Sequence, residues 1–132
     1  MAASPVLADS SYYIGLLKRG EDPLKALALA AATRDLVISG IIRCEVGRGL
    51  VQPTVLRRFN EFWNVMINVP TDNRLWDDVG RMLWQLDREG CLLPLPDVVI
   101  GCSAMRVGAV VLTFDHHFGK IPGVRAVDRL DY

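Results

Sequence analysis

The 132-residue sequence has no excess of charge, because fifteen Lys and Arg residues balance fifteen Asp and Glu residues. This balance argues against a protein that coats nucleic acid through bulk electrostatic attraction, although it does not exclude local binding. There are only three cysteines, and none has the C-x-x-C spacing of many metal and redox sites. We therefore interpret Cys44, Cys91 and Cys102 as small core residues of a protein in the reducing cytoplasm.

Long hydrophobic runs, repeats and low-complexity segments are also missing. No stretch approaches the roughly 20 apolar residues that a membrane-spanning helix needs. The first residues lack the basic and apolar regions of a secretory signal peptide. We expect a single domain over residues 1–132 with no membrane partner.

Short apolar runs, typical of buried strands, alternate with helical patterns along the chain. Strands are predicted at residues 5–8, 36–39, 67–69, 109–113 and 124–127. Helices are predicted at residues 10–18, 23–32 and 41–50, from Pro53 onward, from a cap at Thr71 to near Gly90, and at 97–107. Strands separated by helices pair in parallel, and strands without polar alternation are covered on both faces. The prediction is an α/β fold, a three-layer α/β/α sandwich with a mainly parallel central sheet.

Four acidic residues from distant parts of the chain are expected to meet at one edge of this sheet. Asp9 follows the first strand, Asp115 follows the strand at 109–113, and Asp97 begins the helix that leads into that strand. Glu45 lies one turn into the segment after the second strand. Open parallel sheets bind ligands beyond the carboxyl ends of their strands, which is where these acids fall.

Clustered carboxylates raise one another's pKa, and a cation is the usual way to keep them ionised. An all-oxygen site suits Mg²⁺ or Mn²⁺. A metal held in this way can activate water and stabilise charge on an attacked phosphate. The chemistry indicated is metal-assisted hydrolysis of a phosphodiester.

Each acid also has a simpler interpretation. Asp9 and Asp97 stand where helix caps or first-turn acids are favoured, Glu45 could pair with Arg48, and Asp115 could start a turn. Because all four acids are expected at the same edge of the sheet, a metal site is favoured over these separate structural roles.

Other residues with possible binding chemistry have structural interpretations. The adjacent His116 and His117 are expected to point in different directions and to be exposed or capping residues. Trp63, Trp76 and Trp84 fall in helical apolar stripes and indicate core or dimer packing rather than base stacking. The acids Asp72, Asp77, Asp78, Asp87 and Glu89 are expected on the solvated side of a helix.

Four segments together resemble the PIN domain and, more narrowly, the VapC-like ribonuclease toxins of type II toxin–antitoxin systems. They are Asp9-Ser10-Ser11, Ile41-Ile42-x-x-Glu45, Leu95-Pro96-Asp97-x-x-Ile100 and Leu112-Thr113-x-Asp115-x-x-Phe118. The resemblance implies a Mg²⁺- or Mn²⁺-dependent endoribonuclease that leaves a 5′-phosphate and a 3′-hydroxyl. It also implies a homodimer and inhibition by a small antitoxin protein.

By position, the resemblance assigns metal binding and catalysis to Asp9, Glu45, Asp97 and Asp115. Thr113 matches a hydroxyl beside the acids, and Ser10 matches a small polar residue near the first acid. His117 stands where many members carry a further acid, which leaves enough acids for one metal and puts a second in doubt. Alternatives are a PIN-domain RNA-processing nuclease without an antitoxin and a catalytically degenerate PIN-like binding module. A receiver domain is disfavoured because no mid-chain strand ends in Asp.

Overall fold

A central sheet of five strands organises the computed structural model, which describes residues 3–130. The strands are β1 (Val6–Ala8), β2 (Leu36–Ser39), β3 (Ile67–Val69), β4 (Val110–Leu112) and β5 (Ala126–Val127). All neighbouring strands are parallel, and their order is β3-β2-β1-β4-β5. The predicted α/β class with a parallel sheet is confirmed.

Within residues 3–130, six α-helices and one 3₁₀ helix connect the strands. They are α1 (Ser10–Lys18), α2 (Pro23–Ala30), α3 (Gly40–Gly47), α4 (Pro53–Asn64), α5 (Asn73–Arg88), α6 (Leu95–Arg106) and the 3₁₀ helix His116–Lys120. Contacts link α1 to α2 and α3, link α3 to α4, and link α5 to α6. Right-handed crossovers would place the first four helices on one face of the sheet and the last two on the other.

The direction of the connections reverses between β1 and β4. From β1 the chain proceeds to β2 and β3 on one side, and from β3 it crosses over to β4 and β5 on the other. Adjacent strands whose connections leave in opposite directions open a crevice at their carboxyl ends. The topology therefore places a binding crevice beyond Ala8 and Leu112, the last residues of these two strands.

The core explains why the three central strands lack polar alternation. Every residue of β1, β2 and β4 is buried. Between α1 and α4, Trp63 packs edge-on against Tyr13 and Phe59. Its indole nitrogen donates a hydrogen bond to the Tyr13 hydroxyl at 3.2 Å. Burial raises the pKa of Tyr13 above its usual range, which keeps the phenol neutral.

Two predicted helix starts are wrong. The cap of α5 is Asp72 rather than Thr71, because the Asp72 carboxylate accepts from the Leu75 amide at 3.0 Å. Asp72 is also held by Arg106 in a two-pronged ion pair, so it is not merely solvated surface. Helix α6 begins at Leu95, with proline tolerated in its first turn, and this places Asp97 inside that turn.

Some side chains predicted to be buried are exposed. Cys44 is exposed, because it lies two residues from both Ile42 and Val46, whose side chains fill the buried face of α3. Cys102 is buried as expected, and burial raises its thiol pKa to about 11. Trp76 and Trp84 are 47% and 64% exposed, so core packing is confirmed only for Trp63. Dimer packing of the other two tryptophans stays a prediction. No helix within residues 3–130 is long and apolar enough to cross a membrane.

Candidate active site

Asp9 lies directly after β1 and is almost fully buried, with 3% of its surface exposed. Its carboxylate caps α1 by accepting from the Tyr12 amide at 3.2 Å, and it also accepts from the Ser11 hydroxyl at 2.8 Å. Burial raises the pKa of Asp9, hydrogen bonds from neighbouring hydroxyls oppose this shift, and the charge of Asp115 adds to it. Asp9 is therefore both a helix cap and a buried acid beside a second acid.

Asp97 and Asp115 are brought together by a histidine. The Nδ1 atom of His117 lies 2.8 Å from Oδ2 of Asp97 and 3.3 Å from Oδ1 of Asp115. One ligand atom from each of the three residues lies within 4.8 Å of the others, a spacing that could hold a metal ion. Burial raises the pKa of Asp97, the His117 contact lowers it, and the charges of Asp115 and Glu45 raise it.

The ring position of His117 was not expected from the sequence. The 3₁₀ helix begins immediately after Asp115, whose carboxylate accepts from the His117 amide at 2.9 Å. This tight turn brings the His117 ring back toward Asp97, whereas His116 is exposed. His117 is thus more than an exposed or capping residue.

Glu45 approaches the site from α3. Its Oε1 atom accepts a hydrogen bond from the Ser10 hydroxyl at 2.6 Å, which links α3 to the start of α1. The structure shows no ion pair between Glu45 and Arg48, both of which it describes, so that alternative is not supported. Because the charge of Glu45 influences Asp97, we include it with Asp9, Asp97 and Asp115 in what we call the acidic cluster.

Two hydroxyls join the ends of β1 and β4. The Thr113 and Ser11 hydroxyls lie 3.1 Å apart. The Thr113 oxygen accepts from the Asp115 amide at 2.9 Å, and the Ser11 oxygen accepts from the Phe114 amide at 3.0 Å. No role was predicted for Ser11 from the sequence. Two serines directly after a buried acid could have indicated hydroxyl contacts at this position.

The acids of the acidic cluster lack Lys and Arg ion-pair partners in the described part of the chain. Within residues 3–130, His117 is the one basic side chain that contacts these four acids. The raised pKa values of Asp9 and Asp97, together with the lack of a Lys or Arg ion pair, fit a divalent cation bound mainly through oxygen. The group Asp97, Asp115 and His117 could provide part of such a site.

Comparison with known families and structures gives a consistent result. A family model for the PIN domain matches residues 6–124. The chain belongs to the PIN domain family. No curated protein matches its sequence.

Solved structures show that its fold is shared with VapBC proteins. DNA-bound VapBC from Salmonella typhimurium has a TM-score of 0.76 at 22% identity, with 95% of this chain and 98% of that chain covered. VapBC2 from Rickettsia felis, also bound to DNA, has a TM-score of 0.75 at 16% identity, covering 93% and 97%. VapC20 from Mycobacterium tuberculosis, described as a sarcin-ricin loop cleaving toxin, has a TM-score of 0.61 at 12% identity, covering 89% and 95%.

Proposed function

We propose that this protein is a metal-dependent endoribonuclease and the toxin of a type II toxin–antitoxin pair. The observation that carries the proposal is the convergence of Asp9, Asp97 and Asp115 at the crevice between β1 and β4, with the pKa values of Asp9 and Asp97 raised. Support also comes from the PIN domain match and from the RNA-cleaving activity attributed to VapC20.

The acidic cluster would hold the metal, Mg²⁺ or Mn²⁺, through Asp9, Glu45, Asp97 and Asp115. When bound, such an ion lowers the pKa of a coordinated water and stabilises charge on the attacked phosphate. His117 is positioned to orient the Asp97 carboxylate, since its Nδ1 atom contacts Oδ2. Ser10 does the same for Glu45, and Ser11 for Asp9.

Thr113 is proposed to maintain the geometry of the crevice. Its hydroxyl contacts Ser11 on one side and the Asp115 amide on the other, and it is 5% exposed. It thereby fixes the distance between the turn after β1 and the turn after β4. A wider crevice would separate Asp9 from Asp115.

The biological partners are part of the same proposal. We expect an RNA substrate, a small cognate antitoxin protein, a homodimer and a cytoplasmic location. Co-expression with a candidate antitoxin, a small protein encoded beside this one if there is one, tests the toxin assignment. A stable complex that suppresses RNA cleavage would support it. If the protein cleaves RNA but no inhibitory partner exists, an RNA-processing nuclease is indicated. If it binds metal but cleaves no RNA, a degenerate binding module is indicated.

The deciding experiment is cleavage of a structured RNA pool by the purified protein with Mg²⁺, with Mn²⁺ and with EDTA. Asp9→Asn and Asp97→Asn are expected to lower the metal-dependent rate by at least about 100-fold, because each removes a charged metal ligand. Asp87→Asn, on the exposed side of α5, is the matched control and is expected to cleave normally. Cleavage that persists in EDTA or in Asp97→Asn would contradict the mechanism.

A further inference from the structure

A surface cavity of about 370 Å³ lies beside the acidic cluster. It shares Thr113 and Asp115 with the crevice, and its other lining residues include Arg19, Phe114 and Asp128. Its volume is at the small end of the range for ligand pockets, about 300–1,000 Å³. We call it the Arg19 cavity, and the proposed phosphodiester hydrolysis gives no role to Arg19, Phe114 or Asp128.

Arg19 is placed by an aromatic ring rather than by an acid. Its guanidinium carbon lies 4.7 Å from the centroid of the Phe114 ring, and Tyr12 flanks the same ring with a centroid separation of 5.2 Å. Phe114 approaches α1 closely because residue 15 is glycine: a Cβ there would lie 2.7 Å from the Phe114 ring. Stacking on a ring leaves the five N–H donors at the guanidinium edge free to bind.

Two of the charged residues that line the cavity, Arg19 and Asp128, are not paired with each other. Across the described chain, residues 3–130, the Arg19 guanidinium makes no hydrogen bond or ion pair, and the Asp128 carboxylate makes none either. Ala126 and Val127 add apolar lining. The cavity therefore offers separate donors and acceptors around an apolar surface.

This combination fits a nucleobase better than a phosphate. A phosphate would be attracted by Arg19 but repelled by Asp115 and Asp128, which line the same space. A base is neutral, has an apolar face, and carries donors and acceptors on its edges. Unpaired RNA bases are recognised by stacking on aromatic rings or guanidinium groups and by hydrogen bonds to these edges.

Resting on the proposed function, we infer that the Arg19 cavity binds one unstacked guanine of the RNA, next to the phosphodiester at the acidic cluster. Guanine offers the acceptors O6 and N7, which suit arginine, and an amino donor, which suits a carboxylate. Arg19 and Asp128 would then determine which base is accepted at this position.

Binding is tested without cleavage by titrating GMP, AMP, CMP and UMP in EDTA and following backbone amide shifts by NMR. GMP is expected to shift the amides of Phe114 and Val127 and to bind at least about tenfold more tightly than the other three. Arg19→Gln and Asp128→Asn are each expected to abolish the preference, whereas Arg57→Gln, an exposed arginine of α4, is expected to retain it. Equal affinity for all four nucleotides, or for inorganic phosphate, would overturn the inference.

Cleavage of unstructured oligonucleotides with each base on either side of the cut provides the second readout. Arg19→Gln is expected to lower kcat/KM by about 10- to 100-fold for the guanine substrate and to leave the other substrates little changed. A uniform loss across all sequences would show that Arg19 binds backbone phosphate instead. If the wild-type protein cleaves no RNA, the proposed function fails, while the nucleotide titration still decides what the cavity binds.

Discussion

The Nδ1 atom of His117 and the Oδ2 atom of Asp97 lie 2.8 Å apart, which joins the 3₁₀ helix after β4 to the first turn of α6. The two residues are 20 positions apart in the sequence. Because His117 also lies 3.3 Å from Asp115, one imidazole contacts two members of the acidic cluster. An imidazole among carboxylates makes the site less suited to Mg²⁺ than an all-oxygen site, since Mg²⁺ prefers oxygen ligands.

We expect His117→Asp to change the metal preference of the protein. The substitution replaces an imidazole by a carboxylate, and we expect the affinity for Mg²⁺ relative to Mn²⁺ to rise by about tenfold. Isothermal titration calorimetry with each ion measures this ratio without any RNA. His116→Asp is the matched control, because His116 is the exposed neighbour of His117 and its replacement changes the net charge by the same amount. An equal change in both variants would mean that net charge, and not the side chain at position 117, sets the preference.

Asp9→Asn is expected to stabilise the protein in EDTA at pH 7, although we expect it to lower the rate of RNA cleavage. Burial raises the pKa of Asp9, so the native state binds this proton more tightly than the unfolded chain does. Proton binding by Asp9 stabilises the native state, and this stabilisation is complete at pH values below the ordinary carboxyl pKa. It is lost as the pH rises through the raised pKa of the native state. At pH 7 the native state carries a buried charge that Asn lacks, and Asn still caps the helix.

The measurement is urea unfolding of both proteins between pH 4 and pH 7. We expect a gain on the order of 1 kcal/mol at pH 7 that shrinks as the pH falls. Asp87→Asn, on the exposed side of α5, controls for the change in net charge. A destabilised Asp9→Asn variant would mean that the hydrogen bonds of the carboxylate outweigh its burial.

The sequence was sufficient to predict the strands and to single out all four acids of the acidic cluster. The physical reason is local. An apolar run marks a buried parallel strand, and Asp9 and Asp115 follow such runs closely, so their position at the sheet edge required no tertiary detail. The order of the strands places both residues at the reversal between β1 and β4.

The contacts of His117 and the cap of α5 depend on geometry that the sequence pattern does not contain. The ring of His117 reaches Asp97 because of the tight 3₁₀ turn after Asp115, whereas adjacency to His116 suggested only divergent side chains. Both Thr71 and Asp72 are good capping residues, and Asp72 is further held by Arg106 from α6, a partner 34 residues away. Long-range partners of this kind decide between local signals of similar strength.

Trp63 and Tyr13 are expected to be energetically coupled. Both side chains are buried, and the indole nitrogen donates to the Tyr13 hydroxyl at 3.2 Å. Tyr13→Phe leaves the indole N–H unpaired in the core and is expected to cost about 1–3 kcal/mol. Trp63→Phe also opens a cavity and is expected to cost about 2–4 kcal/mol.

In the double variant neither polar group remains. Its loss of unfolding free energy, measured with urea, should therefore be smaller than the sum of the two single losses by about 1 kcal/mol. Simple additivity would show that the hydrogen bond contributes nothing to stability.

Gly15 and Gly80 are expected to respond oppositely to alanine. Both lie inside helices, where alanine is favoured over glycine by about 1 kcal/mol. At Gly80, on the exposed side of α5, an added Cβ meets no atom within 4 Å, so Gly80→Ala should stabilise by about that amount. At Gly15 the Cβ would lie 2.7 and 2.9 Å from two atoms of the Phe114 ring, so overpacking should outweigh the helical gain and produce a net loss of about 1 kcal/mol. Thermal unfolding measures both changes. Because the Phe114 ring supports Arg19, Gly15→Ala should also weaken GMP binding. A Gly15→Ala protein that is more stable and binds GMP normally would mean that the Phe114 ring can move away from the added Cβ.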